Sequence, residues 1–227
     1  VDTDTSALSD RLAAVRDRIA DSARRAGRDP SDVTTIVVTK FHPSSLIRSL
    51  VDLGVTDIGE NRHQEAQAKY AELTDLDLTW HFIGQLQTNK ARRVREYADV
   101  IHAVDREPLI ASLGGAGRPV DVFLQVNLTD DPERGGAQPD ELNALADRIE
   151  ATPGLTLLGL MAVAPLEAEP RAAFARVREL SESLVRNHPH ATRLSMGMSG
   201  DFEDAILEGA THLRIGTAIT GNRPPRG

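Results

Sequence analysis

Residues 33–60 read VTTIVVTKFHPSSLIRSLVDLGVTDIGE. The apolar, β-branched run at 33–38 predicts a strand, the stretch from Ser44 to Leu53 a helix, and residues 55–58 a second, very short strand. The same alternation runs to the end of the chain. Further strands are expected at 78–83, 100–104, 120–126, 155–163, 193–196 and 211–215, with helices at 64–73, 89–97, 108–113, 139–151, 170–187 and 202–207. Strands alternating with helices call for a parallel sheet with helical crossovers. Eight such units suit a closed (β/α)8, TIM-type barrel; an open doubly wound sheet is the alternative that the pattern leaves. Upstream, Leu8, Leu12, Val15, Ile19 and Ala23 recur every three or four residues and predict an extra N-terminal helix, ended by Gly27 and Pro30. No linker divides the chain, so residues 1–227 are read as one domain, with loops at 114–117 and 130–136.

Composition narrows the function classes. A hydrophobic fraction of 40% and a charged fraction of 26% are ordinary for a soluble globular protein. The formal net charge of −8 speaks against a nucleic-acid partner, which calls for a basic face. With no cysteine, disulfides, thiolate nucleophiles and cysteine metal sites are excluded. No apolar run approaches the roughly 18 residues of a membrane span, and the polar, acidic stretch 1–10 does not read as a signal peptide. A cytoplasmic protein without metal or membrane partner is expected. His188 and His190 lack metal-ligand companions, and the basic stretch 90–95 reads as a solvated helix face.

In a barrel, ligands sit at the C-terminal ends of the strands. Those ends carry Thr39-Lys40, Gly59-Glu60-Asn61, Gly84-Gln85, Asn127, Met161, the segment Ser195-Met196-Gly197-Met198-Ser199-Gly200-Asp201, and Arg214-Ile215-Gly216-Thr217. Lys40 is one of only three lysines and directly follows an apolar run. Partial desolvation there disfavours its ammonium form, and a neutral amine attacks a carbonyl to form a Schiff base. The alternative is a lysine that snorkels at a strand end beside a carboxylate. Barrels often bind phosphate between the loops after strands seven and eight. Here those loops hold Ser199, Gly216 and Thr217, whose glycine admits a close anion and whose hydroxyls add donors, although tight turns alone also use such glycines. Taken with Lys40, the pattern favours a phosphorylated carbonyl ligand. Arg214 either pairs with a carboxylate of the barrel or donates to a ligand acceptor such as a pyridine nitrogen. Arginine does not give up its proton at neutral pH, so that ring would be a muted electron sink. His81 reads as a satisfied histidine of the barrel interior, Met196 and Met198 as packing, and Asp201 as a favourable charge at a helix start that could also orient the preceding loop.

The blocks Val37-Val38-Thr39-Lys40, Ile58-Gly59-Glu60-Asn61, His81 through Lys90, Gln125-Val126-Asn127, Gly159-Leu160-Met161, Leu194 through Ser199 and Arg214 through Ile219 occur in one order along the chain. In that order they resemble the pyridoxal 5′-phosphate (PLP) homeostasis family, also called the YggS or PROSC family, whose fold is similar to the N-terminal barrel of alanine racemase. The resemblance implies that Lys40 carries the PLP aldimine, that Ser199, Gly216 and Thr217 hold the phosphate, that Arg214 faces the pyridine nitrogen, and that Asn61 and Met198 line the ring pocket. Phe41, Arg62-His63, Arg134 and Thr220 depart from the family pattern; Arg134 stands where the family loop often has a lysine. In the racemases the second base is a tyrosine of a C-terminal β domain, for which the residues after strand eight leave no room. Tyr70 and Tyr97 fall in or near helices. The expectation is a monomer without catalytic residues that stores PLP or delivers it to PLP-dependent apoenzymes, with little or no turnover. Two alternatives stand beside it: a single-barrel PLP-dependent amino-acid racemase, and a Schiff-base aldolase acting on a sugar phosphate without PLP.

Overall fold

The structure, a computed structural model, describes residues 5–129, 131 and 134–222. Asp130, Pro132 and Glu133 of the expected 130–136 loop lie outside the described residues, as do 1–4 and 223–227. Eight strands form the barrel: β1 (Thr34–Val38), β2 (Asp57–Glu60), β3 (Thr79–Phe82), β4 (Val100–Val104), β5 (Val120–Gln125), β6 (Leu155–Met161), β7 (Arg193–Ser195) and β8 (His212–Ile215). Around them lie α1 (Thr5–Arg25), α2 (Ser44–Asp52), α3 (His63–Glu72), α4 (Ala91–Arg95), α5 (Glu107–Leu113), α6 (Leu142–Glu150), α7 (Pro170–Val185), α8 (Phe202–Leu207) and α9 (Thr217–Thr220). Every strand pairs parallel with its sequence neighbours, and β1 closes on β8 through Thr34↔His212, Ile36↔Arg214 and Val37↔Ile215. Closure excludes the open doubly wound alternative.

Parallel strands covered by helices are buried on both faces and read as continuous apolar runs rather than alternations. All five residues of β4 are buried, and so are the last three of β1, β2, β3 and β8. Strand β2 is displaced from its expected place. Residues 55–58 were the apolar run, but Val55 donates its N–H to Leu50 at the end of α2, and ladder pairing begins only at Asp57 opposite Thr79. The strand then runs through Gly59-Glu60, weak strand formers that the ladder overrides. Helix 89–97 is shorter than expected, a single 3₁₀ turn at Thr88–Lys90 followed by α4.

Helix α1 lies outside the eight units and packs on α8 and α9. Leu8, Leu12, Val15, Ile19 and Ala23 form its buried stripe, as their spacing predicts. Arg11 donates to Ile219 O at 2.8 Å, and Arg28 to Ala210 O at 2.7 Å. The helix therefore braces α8 and α9, the latter carrying Thr217 and Thr220 of the barrel mouth, and Arg28, just beyond its end, ties the chain to the turn before β8. Leu12→Ala should cost about 2–5 kcal/mol, the usual range for a truncated core leucine. Urea denaturation measures this; an unchanged midpoint would place α1 outside the cooperative unit.

Candidate functional site

Lys40 follows the last residues of β1, and its backbone is gripped on both sides. Lys69 Nζ, from α3, donates to Thr39 O at 2.8 Å, to Glu60 Oε1 at 2.7 Å and to Glu65 Oε1 at 2.8 Å. Thr39 Oγ1 donates to Glu60 Oε1 at 2.6 Å, and Phe41 N donates to Glu65. Phe41 sits at φ +68°, a left-handed conformation uncommon for a bulky side chain. Such a residue persists only where its surroundings over-determine it, and the Glu65 contact with the Arg62 guanidinium 4.8 Å above the Phe41 ring supplies that constraint. Burial pushes the Glu60 carboxyl up, and the charge and hydrogen bond of Lys69 oppose that push. Glu60 and Glu65, the carboxylates that meet Thr39 and Phe41 on either side of Lys40, are both engaged by Lys69. In the sequence this cluster shows only as the Glu65–Lys69 spacing of four on a helix, a pattern that ordinarily marks a solvated pair.

A cavity of about 360 Å³ opens at the C-terminal ends of the strands. Its wall brings together Lys40, Asn61, Met198, Ser199, Arg214, Gly216 and Thr217, along with Val38, Ile83, Gly200 and Thr220, and with His42 and Val163, to which the sequence assigns no site role. Met198 is half-exposed in this wall rather than packed, whereas Met196 is fully buried. Ser199 Oγ accepts from Gly216 N and from Ala218 N, both at 3.3 Å, and so ties the loop after β7 to the start of α9. Asp201 Oδ1 accepts from Met198 N at 2.6 Å and makes no capping bond to α8, so it orients the loop rather than the helix. Gly197 is at φ +94°, and a Cβ there would lie 2.7 Å from Ala205 Cβ; the turn after β7 requires glycine.

Arg214 stands in the same wall and is almost wholly buried. Its Nη1 donates to Ser195 Oγ at 2.6 Å and its Nη2 to Ala162 O at 2.9 Å, neutral oxygens rather than a carboxylate. Burial lowers its pKa to about 10, against the pull of Asp201, so the guanidinium stays charged at neutral pH. Asn61 Oδ1 is a buried acceptor with no hydrogen-bond partner. Its backbone is held close to the end of β3, where a Cβ on Gly84 would lie 2.3 Å from Asn61 O. A second cavity of about 260 Å³ shares Asn61, Ile83 and Val163 and adds Gln85, Gln125, Asn127 and Arg134.

Other expected features fall elsewhere. Tyr97 stacks near His63 and Tyr70, with ring centroids 5.9 Å away in each case, and neither tyrosine lines the two cavities. His81 is buried and hydrogen-bonded, as expected. His188 is buried with Glu150 Oε2 3.1 Å away, and no metal-holding group of three ligands occurs among the described residues. In the 90–95 stretch Arg92 and Arg93 are exposed while Ala91 and Val94 face the core. No helix among the described residues is long and apolar enough to cross a membrane.

Residues 11–224 match the family model described as alanine racemase, N-terminal domain. The pyridoxal phosphate homeostasis protein of Pseudomonas aeruginosa is 44% identical over 96% of this chain and 96% of its own, and that of Escherichia coli K12 is 39% identical over 95% and 97%. The chain belongs to the pyridoxal phosphate homeostasis protein family. Within this family, the structure of PipY from Synechococcus elongatus with PLP bound is 40% identical, covers 94% of this chain and 100% of its own, and superposes with a TM-score of 0.80.

Two expectations follow from the polar groups around this family's barrel. Lys69→Ala leaves Glu60 buried without its cation and should cost about 3–5 kcal/mol, whereas Lys69→Met with Glu60→Leu should recover much of the loss; urea denaturation of both variants distinguishes the two cases. His212 has its pKa lowered to about 4 by burial first and by His81 and Arg193 next. The unfolded state therefore binds a proton at His212 that the native state refuses, so stability is complete above pH 6.5 and falls as pH drops from there toward 4. Between pH 7 and 5 the loss from this residue should be about 2 kcal/mol. A His212→Asn variant with an unaltered pH dependence of denaturation would contradict it.

Proposed function

We propose that this chain binds PLP in the larger cavity, covalently through Lys40 Nζ, and serves PLP homeostasis by storing the cofactor and passing it to apoenzymes. The observation that carries the reading is the meeting, in one cavity, of an amine, a guanidinium and a hydroxyl-lined glycine loop. PLP is an aromatic aldehyde with a phosphate arm and a ring nitrogen. Its complement is an amine near the aldehyde, a donor near the ring nitrogen, and N–H and O–H groups around the phosphate. A volume of about 360 Å³ suits a ligand of this size, and the partnerless Asn61 Oδ1 offers an acceptor to a donor that the protein does not supply.

Lys40 is the attachment point. Ser199, Gly216 and Thr217 surround the phosphate, where the backbone N–H groups of Gly216 and Ala218 already converge on Ser199 Oγ. Arg214 faces the ring nitrogen, and Asn61 and Met198 flank the ring. When bound, PLP supplies an electron sink for carbanion chemistry, a capacity that depends on its ring nitrogen being protonated. Arg214 is cationic at neutral pH and donates without releasing its proton, so it withholds that protonation. Racemisation further needs an acid/base group on each face of the reacting carbon. No tyrosine lines the cavity. These features favour a carrier with little or no turnover over an amino-acid racemase. A protein that acts as a monomer in the cytoplasm fits this role.

The test is the absorbance spectrum of the purified protein with PLP, then borohydride reduction and peptide mapping. A visible band that bleaches on reduction and leaves a pyridoxyl group on Lys40 is expected. Lys40→Ala should lose the covalent adduct while the phosphate contacts retain reversible affinity for PLP. An undiminished adduct in Lys40→Ala would move the attachment point elsewhere, and a wild-type protein that never acquires the band would overturn the reading.

A further inference from the structure

A line of buried polar side chains crosses the barrel interior and ends on Arg214. Asp57 Oδ1, at the first residue of β2, lies 3.0 Å from His81 Nε2. His81 Nδ1 lies 3.0 Å from His102 Nε2, and His102 Nδ1 lies 2.8 Å from Ser195 Oγ. Ser195 Oγ in turn accepts from Arg214 Nη1 at 2.6 Å. His102 belongs to β4 and Ser195 to β7, strands that do not pair with each other. Their hydrogen bond therefore spans the lumen.

With both imidazoles in the neutral form, the chemistry of the two ends sets the direction of every link. A carboxylate only accepts, so His81 donates from Nε2. A neutral His81 then accepts at Nδ1, which makes His102 the donor from its own Nε2. A neutral His102 accepts at Nδ1, which makes the Ser195 hydroxyl the donor there. The lone pairs of Ser195 are left for the Arg214 guanidinium, which only donates. The line runs from a cation to an anion with all donors pointing one way. Full burial holds His102 well below its ordinary value and so neutral, the state this order requires. Burial raises the Asp57 carboxyl, but hydrogen bonds from His81 and Thr56 outweigh it and hold it low, hence ionised. Four other charged or titratable groups act electrostatically on this region: Asp121 from β5, Arg193 from β7, Asp201 from the loop after β7 and His212 from β8.

We infer that Asp57, His81, His102 and Ser195 are positioning residues for Arg214: a one-way hydrogen-bond relay that fixes the aim of its guanidinium at the ring end of the cavity. The inference rests on the assignment of the cavity to PLP with Arg214 at the ring nitrogen. None of the four lines that cavity, so they act on it only through Arg214. Hydrogen bonds in a low-dielectric interior polarise one another, so loss of a distant link loosens and repolarises the last one.

Two measurements test it. The first uses the full-length protein without ligand. Ring-nitrogen NMR should find His81 and His102 both neutral and both protonated at Nε2; a His102 protonated at Nδ1 would overturn the relay. The second takes PLP as the probe and records the absorbance band of the bound cofactor. Arg214→Gln should shift that band. Ser195→Ala and His102→Gln should shift it in the same direction by at least about half as much, and Asp57→Asn, which keeps an acceptor but removes the charge, by less. Ser195→Thr, which restores the hydroxyl, should return the band to its wild-type position. Bands for Ser195→Ala and His102→Gln that superimpose on wild type, while Arg214→Gln is shifted, would overturn the relay and leave the cofactor reading intact. A wild-type protein without a reducible adduct at Lys40 would instead overturn the cofactor reading, and the tautomers seen without ligand would still decide the hydrogen-bond order. Should His102→Gln fail to fold, Asp57→Asn, altered at the partly solvated end of the line, carries the same comparison.

Discussion

The pairing of β1 with β8 is the constraint on which the site depends. It sets Ile36 beside Arg214 and Val37 beside Ile215, so the two chain segments that continue past those strands emerge side by side. One carries Lys40 and the other Gly216-Thr217. These groups are more than 170 residues apart in sequence, and an open sheet with the same strands at opposite edges would hold them apart. Helix α1 reinforces the closure from outside, since its buried stripe and Arg11 press on α8 and α9, where the chain leaves β8. A brace remote from the ligand cavity therefore bears on the loops that frame it.

At the other side of the mouth the constraint is electrostatic. Lys69 meets two carboxylates and the Thr39 carbonyl, and one of those carboxylates also takes the Phe41 amide. Desolvating three charges is expensive, and apolar replacements of similar volume are often as stable. What an apolar cluster lacks is direction: it has no group to grip the carbonyl before Lys40 and the amide after it. The left-handed backbone at Phe41 fits this view, because that conformation turns the chain away immediately beyond the lysine.

The barrel was legible in the sequence because each strand is a short apolar run bounded by helical periodicity, and the cavity residues were legible because they fall where those runs end. Lys40, Ser199, Arg214, Gly216 and Thr217 all follow from that rule. What escaped is what the rule does not encode. Strand β2 was placed two residues early because Val55 is apolar, while the true strand ends in glycine and glutamate, whose extended conformation comes from ladder partners on β1 and β3. The role of Lys69 is not encoded locally, because two of its partners lie in a neighbouring strand and loop and the helix spacing from Glu65 alone suggests a solvated pair. Val163 lies beyond the end of β6, which stops two residues short of the expected strand, and Thr220 ends the short helix α9, which the apolar pattern after β8 does not predict.

The polar line through the lumen was the least legible, because a link from β4 to β7 leaves no trace in local sequence. It also contributes least to stability for what it costs. Barrels of this kind ordinarily fill the interior with branched apolar side chains, and here Phe123, Val100, Ala103 and Met161 do so only in part. Each buried imidazole or hydroxyl loses hydration that its hydrogen bonds at best restore, and His102 and His212 surrender their protons as well. An apolar plug would close the same barrel. The difference it would make lies at Arg214, where a buried cation would be left with a single carbonyl, that of Ala162, to hold it. The polar interior is therefore best understood from its upper end, as the support of one guanidinium at the floor of the cavity.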